Sequence, residues 1–348
     1  MAKMNKARQL VAHDIAIDLG TANTLVTVEG RGLVVNEPSV VAINNRTKRI
    51  IAIGEKAKQM LGKTPKDIQA ARPLNDGVVS DFEITEQMLN YFIGQIHKQH
   101  KVIWPRPRVI MCLPSGVTEV EQRAVEEAAR SAGARKIYLI EEPMAAAIGC
   151  GLSVNDSSGS MVVDIGGGTT EVAIISLGGV AVLKSLRIAG DEMSESIMQF
   201  MRDEYSLQIG EQTAENLKMG TGAVYVHADP KLAKVRGRNI VTGLPQEIEI
   251  NSDVLRIPLA KQVRPIVDAV KLTLEEAPAE LVSDVMQKGI VVAGGGALIA
   301  GLDHLIKQET KIDTIIAENA LTSVVEGAAR VLSNLPVYKE VLLKGSKS

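Results

Sequence analysis

Residues with the chemistry of a phosphate site cluster in one stretch in the middle of the chain. In residues 161–175 an apolar run leads into an aspartate, three glycines and two threonines, and a second apolar run follows. This pattern predicts two strands joined by a tight turn. Glycines let the backbone approach a ligand closely, and successive free N–H groups in such a turn form a concavity that favours an anion. Asp164, at the predicted strand end, is placed to hold a magnesium ion beside phosphates, usually through water.

The same arrangement occurs near the start of the chain. Residues 16–28 align with residues 162–174, and aspartate, glycine and hydroxyl residues recur at matching offsets. One glycine-rich turn is also typical of an ordinary β-hairpin, but two aligned copies are much harder to obtain by chance. Neither copy has the Gly-Lys-Ser/Thr signature of a Walker loop, which opens a helix. We therefore expect two similar halves that clamp one nucleotide between two hairpins.

The composition fits a globular protein with two cores. Of 348 residues, 45% are hydrophobic and 23% charged, and this length predicts two domains. The net charge of −2 argues against broad nucleic-acid binding, which usually needs a basic face. Cys112 and Cys150 lie in apolar surroundings, which predicts small core residues rather than a disulfide. No apolar signal core follows the basic N-terminal residues, so we expect no export.

Glu142 is a candidate for chemistry at a strand end. It lies between a strand predicted over 136–140 and a helix of small residues predicted over 144–151. A carboxylate here could orient water for attack on a γ-phosphate, a reaction that depends mainly on positioning. It could equally be an acidic helix start that the helix dipole favours. The residues alone leave both interpretations open.

Two motifs in the second half also have two interpretations. Glu215 and Lys218 lie one turn apart on a helix predicted over 212–219, where they could form a solvated pair or reach a base or ribose. A triple glycine, 294–296, joins a strand predicted over 289–293 to a helix predicted over 297–308. It indicates either close approach of a ligand to a helix start or a tight packing turn.

Two segments are candidates for membrane contact. Residues 1–11 are basic and weakly amphipathic, which fits either a frayed terminus or a helix on a membrane surface. Val102, Ile103 and Trp104, the last being the only tryptophan, lie between lysine and arginine residues. Tryptophan prefers the membrane–water interface and cations favour an anionic leaflet, but this ring could instead pack on the preceding helix.

A further helix is predicted over 118–132. It begins with a capping box, in which Thr118 is followed three residues later by Glu121. Val120 and several alanines form its apolar face. Such a small face suits close helix–helix contact, either inside the fold or between chains.

With these motifs together, the chain resembles the superfamily of actin, sugar kinases and heat-shock chaperone ATPases, and within it the bacterial actins. The likeness covers residues 14–332 and is strongest over 14–24, 36–42, 57–81, 141–147 and 160–173. It implies an α/β, actin-like ATPase fold of two similar halves with ribonuclease H-like cores and four subdomains around a nucleotide cleft. The expected first half is 1–152 with 325–348 and has a small subdomain at about 34–73. The expected second half is 153–324, with a small subdomain at about 190–252.

The resemblance also implies roles for individual residues. ATP and Mg²⁺ are the implied cofactors, with slow hydrolysis by Glu142 and Thr169 and with Asp18 and Asp164 on the magnesium side. The implied nucleotide contacts are Gly20, Thr21, Ala22, Asn23, Gly166, Gly167, Gly168, Thr169, Gly190, Glu215, Lys218, Gly294, Gly295, Gly296 and Ala297. One departure from the family pattern is Ala189, which stands where glycine is usual and predicts a slightly different backbone near the nucleotide.

The implied function is that of a filament. Head-to-tail protofilaments pair antiparallel through the helix that contains Val120, and Val102, Ile103 and Trp104 occupy the family's membrane loop. The implied partners are other copies of the chain, lipid at the inner face of the cell membrane, and membrane proteins of the cell elongation machinery. Such filaments lie in the cytoplasm against that membrane and guide the wall synthesis that keeps rod-shaped cells rod-shaped. The basic N-terminus lacks the strongly apolar helix of some relatives, so the choice of anchor stays open.

Three other functions are possible within the superfamily. A sugar or carboxylate kinase needs a second substrate site with its own base, and we find no candidate besides Glu142. A chaperone needs a peptide-binding domain after the ATPase, which we do not expect in a chain of 348 residues. A plasmid-partitioning filament is disfavoured by the long stretches that resemble the bacterial actins of cell shape.

Overall fold

The computed structural model describes residues 14–75, 78–100, 106–226 and 230–343. The chain divides into two compact units, the first made of Met1–Asp156, Leu177–Gly179 and Thr322–Ser348, and the second of Ser157–Ser176 and Val180–Leu321. Each unit is built on a five-stranded sheet. No helix among the described residues is long and apolar enough to cross a membrane.

The first unit begins with a hairpin and continues through alternating strands and helices. Its described elements up to residue 156 are β1 (Ile15–Leu19), β2 (Asn23–Val28), β3 (Gly32–Pro38), β4 (Val41–Asn44), β5 (Ile50–Ile53), α1 (Glu55–Lys58), β6 (Ile68–Ala71), β7 (Leu74–Asn75), β8 (Val78–Val79), α2 (Phe82–His100), β9 (Arg108–Leu113), α3 (Glu119–Ser131), β10 (Lys136–Glu141) and α4 (Glu142–Gly149). The main sheet has the order β10–β9–β1–β2–β3, and β4 lies between β5 and β6 in a smaller sheet. β1 is antiparallel to β2 and parallel to β9, which is parallel to β10.

The second unit repeats this plan. Its described elements are β11 (Ser160–Ile165), β12 (Thr170–Ser176), β13 (Gly179–Leu186), α5 (Gly190–Tyr205), β14 (Leu207–Gln208), α6 (Glu211–Thr221), β15 (Leu232–Asn239), β16 (Pro245–Asn251), α7 (Ser252–Glu276), α8 (Ala279–Lys288), β17 (Ile290–Ala293), a 3-10 helix (Gly295–Leu298), α9 (Leu302–Thr310) and β18 (Thr314–Ile316), after which α10 (Ser323–Ser333) belongs to the first unit. Its sheet has the order β13–β12–β11–β17–β18, with β11 antiparallel to β12 and parallel to β17.

Both sheets have continuous apolar central strands because both of their faces are covered. In the first unit, Ile17 packs with Phe92 of α2 and Val125 of α3 in one cluster. On the other side, the Cys112 thiol lies 4.0 Å from the Val324 carbonyl of α10. Cys112 is buried as predicted, whereas Cys150 is only half-buried, and neither forms a disulfide.

The helix predicted over 297–308 is present, but its predicted start at residue 297 is wrong. Leu298 ends a short 3-10 helix, and α9 begins only at Leu302. Gly301 separates the two helices with φ +83, and a Cβ added there would lie 2.4 Å from the Cβ of Tyr225. Just before it, the Ala300 carbonyl accepts the N–H of Val224 at 2.9 Å. A left-handed glycine and an external backbone hydrogen bond end the first helical turn, and apolar periodicity alone does not show either.

Helices α4 and α10 of the first unit cross in direct backbone contact. A Cβ on Gly149 would lie 1.8 Å from the Ser323 carbonyl oxygen, and a Cβ on Gly327 would lie 1.8 Å from that of Ala145. Each helix therefore places a glycine where the other presents a carbonyl group. Larger residues at either glycine would force the helices apart.

Candidate nucleotide site

The first candidate phosphate loop is the turn between β1 and β2, residues 20–23. A Cβ on Gly20 would lie 2.8 Å from the carbonyl oxygen of Asn23, so the turn is too tight for a side chain there. Ser39, directly after β3, donates its hydroxyl to the Gly20 carbonyl at 2.6 Å and its N–H to the Ala22 carbonyl at 2.9 Å. These bonds fix the backbone of the turn. The predicted strand–turn–strand arrangement is confirmed.

The second loop joins β11 to β12 with the same geometry. Gly166 donates its N–H to the Thr169 carbonyl at 2.8 Å, and a Cβ on Gly166 would lie 3.2 Å from that oxygen. The N–H of Gly190 donates to the Gly166 carbonyl at 3.2 Å, and the N–H of Asp191 donates to the Gly167 carbonyl at 2.8 Å. Both donors belong to the first turn of α5, whose N–H groups have no partner within the helix. The start of a helix therefore holds this loop.

Ala189 occupies the position where the family pattern has glycine. Its φ of −154 and ψ of −144 describe a backbone that an alanine adopts, and the residue is buried. Its N–H donates to the Glu192 carboxylate at 2.7 Å. The next residue is less tolerant, because a Cβ on Gly190 would lie 3.2 Å from Lys218 Nζ and 3.3 Å from the Gly166 carbonyl oxygen. Close packing against the loop and Lys218 therefore favours glycine at position 190, whereas position 189 accepts alanine.

Helix α6 brings Lys218 to the second loop. Its Nζ donates to the Gly190 carbonyl at 2.5 Å, and both Lys218 and Glu215 are half-buried. Lys218 is therefore not part of a fully solvated surface pair. Contact of either residue with a nucleoside stays a prediction.

Asp164 lies near the end of β11, level with Ala293 of the parallel strand β17. A Cβ on Gly294, which has φ +82, would lie 2.5 Å from Asp164 Oδ1 and 2.3 Å from the Ile165 carbonyl oxygen. Burial raises the pKa of Asp164 to about 7 because water is excluded from its charged form. A buried carboxylate of this kind fits a hard divalent cation, which would restore the charged form.

The triple glycine packs on the same strand end. A Cβ on Gly296 would lie 2.3 Å from Ile165 Cγ2, and one on Gly295 would lie 3.3 Å from Leu321 Cδ1. Ala297 is buried in the 3-10 helix that follows. Close packing therefore accounts for Gly294 and Gly296 without a ligand. Contact of this loop with adenosine stays a prediction.

In the first unit, Asp18 and Glu142 lie at the same end of the sheet, where the parallel strands β1, β9 and β10 finish. Asp18 is level with Cys112 of β9, and Cys112 is level with Ile140, two residues before Glu142. The carboxyl ends of parallel strands are where open α/β sheets bind ligands. Glu142 is 9% exposed and begins α4, two residues earlier than predicted because Pro143 suits a first helical turn. The position is compatible with both interpretations of Glu142.

Sequence reasoning missed two residues of the first unit. Ser39 holds the first loop, and its only sequence signal is a serine directly after the third strand. Glu141 is the second: burial raises its pKa, and the neighbouring Ser115 hydroxyl opposes that rise. The sequence shows Glu141 beside Glu142, but it does not indicate how the surroundings of the two carboxylates differ.

The predicted surface contacts fall partly outside the described residues. Val120 is 77% exposed in the first turn of α3. The capping box before it is confirmed, since the Glu121 carboxylate accepts the Thr118 N–H at 2.7 Å and Thr118 Oγ1 accepts the Glu121 N–H at 3.3 Å. Val102, Ile103, Trp104 and residues 1–11 lie outside the described residues.

Comparison with known proteins extends over nearly the whole chain. The model of the MreB/Mbl protein family matches residues 12–340. The cell shape-determining protein MreB of Escherichia coli (strain K12) is 48% identical over 339 residues, which are 96% of this chain and 97% of that protein.

Two solved structures have the same fold. MreB5 of Spiroplasma citri bound to ADP superposes with a TM-score of 0.89 at 38% identity, covering 94% of this chain and 98% of that one. A MamK double helical filament has a TM-score of 0.78 at 20% identity, covering 92% and 99%. The predicted actin-like fold is confirmed by these likenesses.

Proposed function

Because the chain belongs to the MreB/Mbl family, we propose that it is a cytoskeletal protein that binds ATP with Mg²⁺, forms filaments and determines the shape of rod-like cells. The observation on which this rests is the pair of loops with one geometry, at residues 20–23 and 166–169, in a chain that is 48% identical to a cell shape-determining protein. The MreB5 relative has structures with ADP and with AMPPNP, which supports a nucleotide as the ligand.

The two loops bind the phosphates in this proposal. The start of α5 supports an anion at the second loop, because the positive end of the helix dipole lies beside it. Lys218 and Glu215 contact the nucleoside, and the segment 294–297 lies along the adenosine. Asp18 and Asp164 hold Mg²⁺ through water. Bound Mg²⁺ would neutralise part of the charge on the phosphate oxygens.

Hydrolysis depends on positioning. Glu142 orients the attacking water, and Thr169 lies in the loop that binds the phosphates. The burial of Glu142 supports this role, since a carboxylate held by its surroundings fixes a water better than a mobile one. Turnover is slow and coupled to filament dynamics, so the protein is not a metabolic enzyme.

The filament consists of two antiparallel protofilaments on the inner face of the cell membrane. Val120 is exposed in a well-capped helix, so its apolar side chain is available to another chain, which supports α3 as the pairing face. Val102, Ile103 and Trp104, or the basic N-terminus, bind the lipid. Membrane proteins of the elongation machinery connect the filament to wall synthesis, and nucleic acid is not a partner.

Electron microscopy of the purified protein with Mg²⁺ and ATP on anionic lipid tests this function. We expect straight paired filaments on the membrane for the native chain, and single protofilaments for Val120→Glu, which places a charge on the pairing face. If Val120→Glu still forms doublets, α3 is not the pairing face. If the protein instead stays monomeric and a small metabolite stimulates its ATP turnover, the proposed filament function is wrong and a kinase function is indicated.

A further inference from the structure

A groove of about 430 Å³ lies between α5 and the start of α7 in the second unit. Phe200, Ile257 and Pro258 form its apolar part. Ile257 is 64% exposed, so a large aliphatic side chain faces solvent at the edge of the groove. The volume lies in the range of known ligand sites, which is about 300–1,000 Å³.

The groove is acidic. Glu192, Glu195 and Asp203 line it along α5, and Lys261 is the one cation among the lining residues, which leaves a net charge of −2. Glu192 is bound to the Ala189 N–H, and Asp203 accepts hydrogen bonds from Gln199 at 2.8 and 2.9 Å. Within the part of the chain that the structure describes, Glu195 forms no ion pair or hydrogen bond. An exposed carboxylate beside an apolar floor favours a ligand that is both cationic and apolar.

The chain itself contains a segment of this chemistry. Residues 1–13 include three cations, Lys3, Lys6 and Arg8, and no carboxylate. The larger apolar residues of this segment are Met1, Met4, Leu10 and Val11. Thirteen residues span up to about 45 Å when extended, far longer than the groove needs. The segment ends directly before Asp14, the first described residue.

We propose that this acidic groove binds the N-terminal segment of a second copy of the chain. The cations of the segment lie against Glu192, Glu195 and Asp203, and its apolar side chains cover Phe200 and Ile257. Because the groove and the segment are different surfaces, the contact can repeat from copy to copy. The same basic segment is also attracted to an anionic membrane, so groove and lipid compete for it. This contact goes beyond the proposed function, which uses α3 for pairing.

A labelled peptide of residues 1–13 tests the contact by fluorescence anisotropy. The receptor is the full chain with Lys3→Glu, Lys6→Glu and Arg8→Glu, so that its own segment does not occupy the groove. We expect saturable binding that weakens about tenfold with Glu195→Lys, by loss of the uncommitted carboxylate, and about threefold with Ile257→Ser, by loss of apolar contact. A peptide with its three cations reversed to glutamate should not bind.

Glu204→Lys is the matched control, because Glu204 is exposed on the same helix and does not line the groove. We expect it to change peptide binding less than twofold. Equal weakening by Glu204→Lys and Glu195→Lys would reduce the effect to general charge attraction and overturn the proposal. Binding of the peptide to phosphatidylglycerol vesicles but not to the protein would assign the segment to the membrane alone. Peptide binding does not require a filament, so failure of this contact is distinct from failure of the proposed function.

Discussion

The two candidate phosphate loops have the same turn but are held by different donors. In the first unit a single residue, Ser39, donates both its hydroxyl and its N–H to the loop carbonyls. In the second unit the first N–H groups of α5 do so. A serine fixes only geometry, whereas a helix start fixes geometry and adds a positive potential. Equal turns can therefore differ in how strongly they attract phosphate.

The sheet edges of the two units differ as well. Asp18 and Asp164 occupy equivalent positions, level with Cys112 and Ala293 in the neighbouring parallel strands. Glu142 lies two residues after Ile140, which pairs with Cys112. In the second unit, continuing the pairing of β17 with β18 by one residue places residue 317 beside Ala293, so Asn319 is the equivalent of Glu142. Only the first edge has a carboxylate there. The two units therefore differ in their carboxylates: Glu142 has no counterpart in the second unit, and the buried Asp164 of the second unit corresponds to the half-buried Asp18 of the first.

The largest expected effect concerns Asp164. With its pKa raised from 3.8 to about 7, the folded protein binds more protons than the unfolded chain between these values. The free energy of unfolding of the ion-free protein should therefore fall as pH rises from about 4 to 7, by at most roughly 4 kcal/mol. Asp164→Asn should remove this fall in urea unfolding measured across that pH range. An unchanged pH dependence in the variant would show that Asp164 is solvated in solution.

The next effect comes from making the two edges alike. Glu142→Asn gives the first unit the side chain that the second has at Asn319. Phosphate release should drop about 100-fold, in the range typical of lost general acid–base or positioning groups, while affinity for a fluorescent ATP analogue stays within twofold. Unchanged phosphate release would remove Glu142 from its proposed role, and a parallel loss of affinity would make it a binding residue.

A smaller effect compares the first glycine of each loop. Gly20→Ala places a Cβ 2.8 Å from a backbone oxygen, whereas Gly166→Ala places one at 3.2 Å. The first contact requires the turn to move, and the second requires only a small adjustment. We expect a loss of ATP affinity of about tenfold for Gly20→Ala and of at most about threefold for Gly166→Ala. Titration with the fluorescent analogue measures both, and the reverse order would show that the clearance at the first glycine does not decide the effect.

The smallest effect concerns Ser39. Ser39→Ala removes the hydroxyl bond to Gly20 and the 2.9 Å contact with Thr24 Oγ1, but it keeps the backbone bond. The loss of a buried hydrogen bond should cost about 1–2 kcal/mol in urea unfolding. Ser176→Ala is the control, since its 2.8 Å hydroxyl bond to Ser157 is exposed and should cost less than about 0.5 kcal/mol. Equal costs would mean that Ser39 does not hold the loop.

Local signals in the sequence were enough to predict the two hairpins and the capped start of α3. Each depends on residues within a few positions of one another, such as Asp164 with its glycines or Thr118 with Glu121. The helix start at residue 297 was mispredicted because a contact with Val224, more than seventy residues away, ends the 3-10 turn first. Ser39 was missed for the same reason, since its partner Gly20 lies in the turn between two other strands. Apolar periodicity describes one segment by itself, whereas both of these features depend on a contact between two distant segments.

The crossing of α4 and α10 affects how the protein is made. α4 ends at Gly149, but the helix that packs against its glycine and carbonyls begins only at Ser323. A ribosome must therefore synthesise almost the whole chain before the first unit can complete its core. The sheet of the second unit, which ends at Ile316, is available earlier. During synthesis the apolar surface of α4 stays uncovered, and premature termination before α10 should yield chains that aggregate.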